Sequence, residues 1–347
     1  MTLPRIVHLV DDTTAGGVMR VLDHILTAPA MAQTADHSLV VIDPGRISLG
    51  RIEADVIVSH LAISWRAMPM LVSLRGKHPK TPLIHVEHSY TKAFVARNVI
   101  HKRRFSTLLR VAYRLFDRVV AVSQAQGQWL AQSGAVRASV LSVIPSCVDL
   151  SAFRAVVPAK SPARVIGAIG RLDRQKGFDT LIKAFRQTTR PDMFLHVYGQ
   201  GPEEDALRSL AADDPRIRFM GFSPDPATAM AAVDVVAMPS NWEAYGLVAI
   251  EALAAGRSLL VNDIDGLIDH VPQGAQVVFD RSVAGWQDAL EGVVAGERQT
   301  QDTRNANGPY PEVSFSKNWQ ELLAAVLGAH SSGAASLAAK PSGMKHV

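Results

Sequence analysis

Short apolar runs alternate with amphipathic stretches along this chain, and the alternation completes itself, breaks, and begins again. In the first half the runs are Val7–Val10, Leu39–Ile42, Val56–Ser59, Leu83–Val86 and Arg118–Ser123, with helical spacing over Val18–Leu26. After Pro145 the pattern restarts with Val165–Gly170, a helical stretch at Thr180–Phe185, and then Phe194–Tyr198, Ile217–Met220, Val233–Met238 and Ser258–Asn262. Short buried strands separated by helices require a parallel sheet covered on both faces. Two such series predict two doubly wound, Rossmann-like α/β domains, which a length of 347 residues accommodates. The predicted boundaries are 1–155 and 163–312, with Pro158–Pro162 as linker. A helix over 313–330, centred on Ser316–Leu327 with Trp319, Leu322, Leu323 and Val326 on one face, comes next. Residues 331–347, rich in Ser, Gly and Ala, read as a disordered tail. Ligands of such sheets sit at the carboxyl ends of the strands, so the cleft between the domains is the expected site.

Composition narrows the chemistry. The formal charge of +4 is too diffuse to argue for nucleic acid, yet it suits anionic partners such as nucleotide phosphates or an acidic membrane face. The single cysteine, Cys147, cannot form an internal disulfide, and no apolar run is long enough to span a bilayer. The expectation is a cytoplasmic protein, with surface attachment to the inner face of a membrane left open. No His, Cys or carboxylate cluster has metal-ligand spacing, so neither a metal nor a cofactor is expected.

Four segments at strand ends can carry chemistry. In Gly170-Arg-Leu-Asp-Arg-Gln-Lys-Gly177, Arg171 and Lys176 lie on a glycine-bounded loop that can clamp a diphosphate; a solvated basic loop is the plain alternative. In Tyr198-Gly-Gln-Gly-Pro202, Gly199 and Gly201 permit close backbone approach. The third segment runs Pro239-Ser-Asn-Trp-Glu-Ala-Tyr-Gly-Leu-Val-Ala-Ile-Glu-Ala-Leu-Ala-Ala-Gly256. It places Glu243 before a helix and Glu251 within it, while the N–H groups of Tyr245, Gly246 and Leu247 point at whatever anion sits there. The same spacing fits an acidic helix start that serves only its own dipole. Gly16 and Gly17 open the first helix and face a ligand or a plain turn. His60 and His88 end two strands on the cleft edge. The stretch Lys92–Arg118 is strongly basic: Phe105, Leu108, Leu109, Ala112 and Leu115 share one helical face, and Arg103, Arg110 and Arg114 another. That pattern fits an anionic membrane surface or a helix packed on its own sheet with its charges in water.

Taken together and in order, these motifs resemble glycosyltransferase family 4, retaining enzymes with the GT-B fold, over roughly residues 5–328. Gly170-Arg-Leu-Asp-Arg-Gln-Lys-Gly-Phe-Asp looks like the donor-phosphate loop, and Glu243 and Glu251 like the family's pair of glutamates with seven residues between them. Gly16-Gly17-Val18 resembles the N-terminal glycine loop, and Asp117-Arg-Val-Val-Ala-Val-Ser the last N-domain strand. The resemblance implies a hexosyltransferase that moves a sugar from a nucleotide-diphosphate donor, UDP by default, to a hydroxyl acceptor such as a lipid or membrane-linked glycan. It implies catalytic roles for Glu243, His88, Arg171 and Lys176. Donor contacts would come from Gly170, Gly199, Gly201, Ser240, Ala244, Tyr245, Gly246, Leu247 and Glu251, and acceptor-side contacts from Gly16, Gly17 and His60. Two departures stand out: Pro145-Ser-Cys147 where the family often has Asn-Gly before Val-Asp, and Met19 where an acid is common. A nucleotide-sugar epimerase or a non-catalytic nucleotide-sugar binding protein would share the two-domain shape.

Overall fold

The computed structural model describes residues 3–338 apart from 15, 44–45, 158, 160–161 and 297–309, and of 330–338 it describes the backbone only. The Pro158–Pro162 linker therefore falls largely outside the described residues, as do 339–347 of the expected tail. The strands are β1 (Arg5–Val10), β2 (Asp36–Val41), β3 (Val56–Ser59), β4 (Leu83–Glu87), β5 (Arg118–Ala121), β6 (Leu141–Val143), β7 (Val165–Ile169), β8 (Phe194–Tyr198), β9 (Ile217–Gly221), β10 (Val235–Met238), β11 (Ser258–Asn262) and β12 (Gln276–Val278). They form two six-stranded sheets, ordered β2-β1-β3-β4-β5-β6 and β12-β11-β10-β7-β8-β9. Every pairing is parallel. The central strands β3, β4, β10 and β11 are buried along their whole length, which is why they read as unbroken apolar runs rather than alternating ones. Two doubly wound domains are thus present.

Several boundaries differ from expectation. The strand read as Arg118–Ser123 ends at Ala121, because the Ser123 hydroxyl caps the next helix, Gln124–Gln132, by accepting from the Gln126 N–H. The strand read from Val233 begins at Val235; the Asp234 carboxylate instead accepts from the N–H groups of Arg164 and Val165, tying the turn to the start of β7. The basic stretch is two helices, Lys92–Asn98 and Lys102–Tyr113, separated by extended backbone at Val99. The final helix runs over Pro311–Ala338, past the point where a tail was expected; Ala334, Ala335, Leu337 and Ala338 favour helix there, while Ser331, Ser332 and Gly333 do not.

One apolar cluster joins the halves. It contains Val120 and Ile144 from the first sheet's side, Met238, Ile250 and Leu267 from the second, and Trp319, Leu322, Leu323 and Val326 of the final helix. That helix lies on the N-terminal half, where the Trp319 and His8 rings meet edge-on and Glu312 pairs with Arg154 at 2.7 Å. A 3₁₀ segment, Asp265–Gln273, adds a polar link. Asp265 accepts from the Thr91 hydroxyl at 2.5 Å and the Ala93 N–H at 3.0 Å, and Asp269 accepts from the N–H groups of Gln124 and Ala125. These two carboxylates of the C-terminal half thus each sit on the N-terminus of an N-half helix, where unpaired N–H groups favour an anion. Among the described residues no helix is long and apolar enough to cross a membrane.

Candidate active site

In a doubly wound sheet the ligand crevice opens where the strand order reverses. In the second sheet that point lies between β7 and β10. The loop after β7 carries Gly170 to Lys176, and the loop after β10 carries Ser240 to Gly246, so topology alone brings the two expected donor segments together. They are then sewn to each other. Asn241 donates from its backbone to Gln175 O and from its side chain to Arg174 O, both at 2.7 Å, and Gln175 donates to Trp242 O at 3.1 Å. Gly177, at φ +65°, lets the first loop pass the second: a Cβ there would lie 2.3 Å from Pro239 O.

Within this frame Lys176 Nζ lies 2.6 Å from Glu243 Oε2, and the Ser240 hydroxyl donates to the same oxygen at 3.3 Å. Both members of the ion pair are largely shielded from solvent, so the charges are held without the mobility of a surface pair. Glu251 is buried in the helix Leu247–Ala254 and forms an ion pair at 2.6 Å with Arg20 of the N-terminal half. Burial pushes the Glu251 carboxyl up, against the opposing pull of Arg20 and Lys176. Glu251, an expected donor contact, is therefore held by a cation from across the cleft, a partner that no local motif announced. Arg171 pairs with Asp173 at 2.5 Å and is mostly exposed, and its charge reaches across to hold the Asp12 carboxyl down, behind the larger effect of hydrogen bonds from Thr14.

The N–H groups of Tyr245, Gly246 and Leu247 meet no acceptor among the described residues, in keeping with an anion-binding helix start. His270 donates from Nε2 to Tyr245 O at 2.8 Å and holds that loop in place; burial lowers its pKa to about 4, so the ring is neutral. Ala244 is buried in the same turn, backed by the 3₁₀ segment through Gly266 N–H to Glu243 O at 3.0 Å. Gly199 and Gly201 are close-approach residues, but what they approach is protein. Gly170 N–H donates to Tyr198 O and Leu172 N–H to Gln200 O, so this loop braces the 170–177 loop from behind.

From the other half, Gly16 caps and Gly17 begins the first helix, Gly17–Thr27. A Cβ on Gly17 would touch Leu247 Cδ1 at 3.5 Å, so the N-terminal glycine loop faces the start of the helix Leu247–Ala254 directly. His88 follows β4 and is half-buried at the cleft edge. His60 departs from expectation. Its Nδ1 contacts His88 Nε2 at 2.8 Å and its Nε2 contacts His8 Nδ1 at 3.0 Å, so neither ring nitrogen remains for an acceptor. Cys147 is buried, and its thiol is pushed up to about 12 by burial, which leaves no thiolate to act as nucleophile.

Residues 30–152 match Glycosyltransferase Family 4, and residues 163–296 match Glycosyl transferases group 1. A D-inositol 3-phosphate glycosyltransferase of Nocardia farcinica is 32% identical over 206 residues, covering 52% of this chain and 46% of the relative. The lipopolysaccharide core biosynthesis glycosyltransferase LpsE of Rhizobium meliloti is 36% identical over 147 residues, 41% of this chain and 43% of that one. The chain thus spans less than half the length of these two curated relatives. Anabaena Alr3699/HepE, solved in complex with UDP, superposes with a TM-score of 0.63 over 97% of this chain and 100% of its own, at 19% identity, a likeness of fold. With both halves matched in order and the two facing sheets in place, the chain belongs to the GT4-type glycosyltransferases of GT-B architecture.

Proposed function

We propose that this chain is a retaining glycosyltransferase that moves a hexose from a nucleoside-diphosphate donor, UDP-linked first of all, to a hydroxyl of a lipid-linked or membrane-bound glycan. The observation that carries the reading is the convergence of Lys176, Glu243 and Glu251 with the unpaired N–H groups of Tyr245–Leu247 at one strand-order reversal. In this reading the diphosphate lies on those N–H groups and on Lys176, with Arg171 swinging in from the rim. Glu243 takes hydrogen bonds from the sugar and Glu251 from the ribose, which displaces Arg20 from its carboxylate. The bond from the anomeric carbon to the phosphate oxygen breaks through an oxocarbenium-like state. The acceptor oxygen bonds to that carbon on the same face, and its proton passes to the departing phosphate. Fixed cations aimed at growing negative charge are the largest lever such a site has.

The UDP preference is supported by the UDP held in the Anabaena relative, and the membrane-side acceptor by the lipopolysaccharide role in the name of the Rhizobium relative. It is also supported by the exposed arginines and lysines of Lys92–Asn98 and Lys102–Tyr113, between which Ile100 stands 90% exposed. Thermal-shift screening against UDP, GDP, ADP and their sugars identifies the base, because a ligand that binds only the folded state raises Tm. With that donor, Lys176→Ala and Arg171→Ala each lower kcat by on the order of 100-fold. Near-normal turnover in both variants would sink the assignment. Epimer formation from donor alone, with no transfer, would identify an epimerase instead.

A further inference from the structure

Four histidines form an unbroken row across the N-terminal sheet. His37 of β2, His8 of β1, His60 after β3 and His88 after β4 follow the strand order itself, β2-β1-β3-β4. The contacts are His37 Nδ1 to His8 Nε2 at 3.0 Å, His8 Nδ1 to His60 Nε2 at 3.0 Å, and His60 Nδ1 to His88 Nε2 at 2.8 Å. Neighbouring rings lie 5.1–5.3 Å apart at 25–33° to each other. Among the described residues no three His, Cys, Asp or Glu side chains converge as the ligands of an ion would, so these are imidazole-to-imidazole hydrogen bonds.

Burial, the first cause at every ring, keeps all four neutral: pKa values fall to about 3 at His8 and about 4 at His37 and His88, and well below the ordinary value at His60. The charges that oppose burial, Asp36 beside His37 and Glu87 beside His88, do not overcome it. A neutral imidazole has one N–H and one lone pair, and each ring's tautomer is set by the bond its neighbour makes. A row of neutral rings therefore has two polarities and no others. The far end selects between them. His37 Nε2 is buried with no partner. A proton there would be an orphaned buried donor, which folded proteins avoid more strongly than an idle lone pair. The proton on His37 then belongs on Nδ1, and the same holds ring by ring to His88.

We infer that His37, His8 and His60 are positioning residues that lock His88 in the Nδ1–H tautomer, so that the cleft receives a hydrogen-bond donor rather than a base. The buried far end also rules out a proton exit to bulk water through His37. This rests on the proposed transfer reaction only for its effect on rate. A donor at His88 suits an oxygen of the transferred sugar, and it leaves the acceptor proton to the departing phosphate, as the retaining scheme requires.

The test is long-range proton–nitrogen NMR of the full chain carrying nitrogen-15 histidine, which reports for each ring which nitrogen holds the proton. In the wild type all four rings should show protonated Nδ1 and bare Nε2. In His37→Phe the signals of His8, His60 and His88 should spread into tautomer mixtures. Transfer kcat should fall about tenfold while nucleotide affinity holds, the size of one misplaced hydrogen bond at a reacting centre. His37→Asn, whose amide N–H takes the place of Nδ1–H, should restore both. A wild-type His88 protonated on Nε2, or a His88 signal unchanged in His37→Phe, overturns the proposal. Absence of any sugar transfer overturns the transferase reading instead and leaves the NMR result standing.

Discussion

Gly199 carries φ +133°, and a Cβ built on it would lie 1.9 Å from Gly170 O. Gly221 has φ +73° with open space around it. The pair separates backbone strain from steric contact. Both Gly→Ala changes add a residue in an unfavourable conformation, but only Gly199→Ala also drives the bracing loop away from the 170–177 loop. We expect Gly199→Ala to cost at least about 2 kcal/mol in urea unfolding and to weaken nucleotide binding, with Gly221→Ala clearly milder. Equal losses would show that the loop contact carries no weight. At this scale the sequence was partly legible. Lys176, Glu243 and Glu251 were readable because each sits in a local pattern tied to a strand end. Arg20, His8, His37 and His270 were not, because their partners are distant in the chain: His8 and His60 are 52 residues apart, and Arg20 meets Glu251 from the other domain. His60 was readable as a strand-end residue, but that both of its nitrogens are taken was not.

The elements were easiest to read where they are long and buried, as in β4 or β11. The edge strands β6 and β12, three residues each, are too short for any period to show and went unread. So did the 3₁₀ segment Asp265–Gln273, which has Pro272 inside it and little that looks helical. The basic stretch was legible as two faces but not as two helices, since a break at Val99 leaves the spacing of Phe105, Leu108, Leu109 and Ala112 intact. Its outward face leads to a prediction about this element. The full chain should cosediment with vesicles containing anionic lipid at low salt, and release as ionic strength shortens the reach of surface charge. Replacing Lys102, Arg103 and Arg104 by Gln should abolish cosedimentation while leaving nucleotide affinity unchanged. No binding at low salt would remove the membrane side of the functional proposal without touching the donor side.

Among the described residues, the contacts that hold the two halves include a shared apolar cluster, the Arg20–Glu251 pair, and the carboxylates of Asp265 and Asp269 on two helix starts. The first is non-directional; the other two fix an angle. Replacing both aspartates by Ala removes four hydrogen bonds to charged groups, each of a kind worth about 1.5–3 kcal/mol. We expect the double variant to populate an opened molecule with a larger radius of gyration in solution scattering, and to bind nucleotide through the C-terminal half alone. Scattering identical to the wild type would mean that the apolar cluster suffices. Trp242 gives this equilibrium a built-in optical readout. It belongs to the loop that holds Glu243, and its ring meets Phe94 of the opposite half edge-on at 6.0 Å. When the halves part, that indole passes from an aromatic neighbour into water, and its emission shifts to longer wavelength. Opening in the double variant, and any change between the halves on adding nucleotide, can therefore be followed in real time by stopped-flow fluorescence, without attaching a dye.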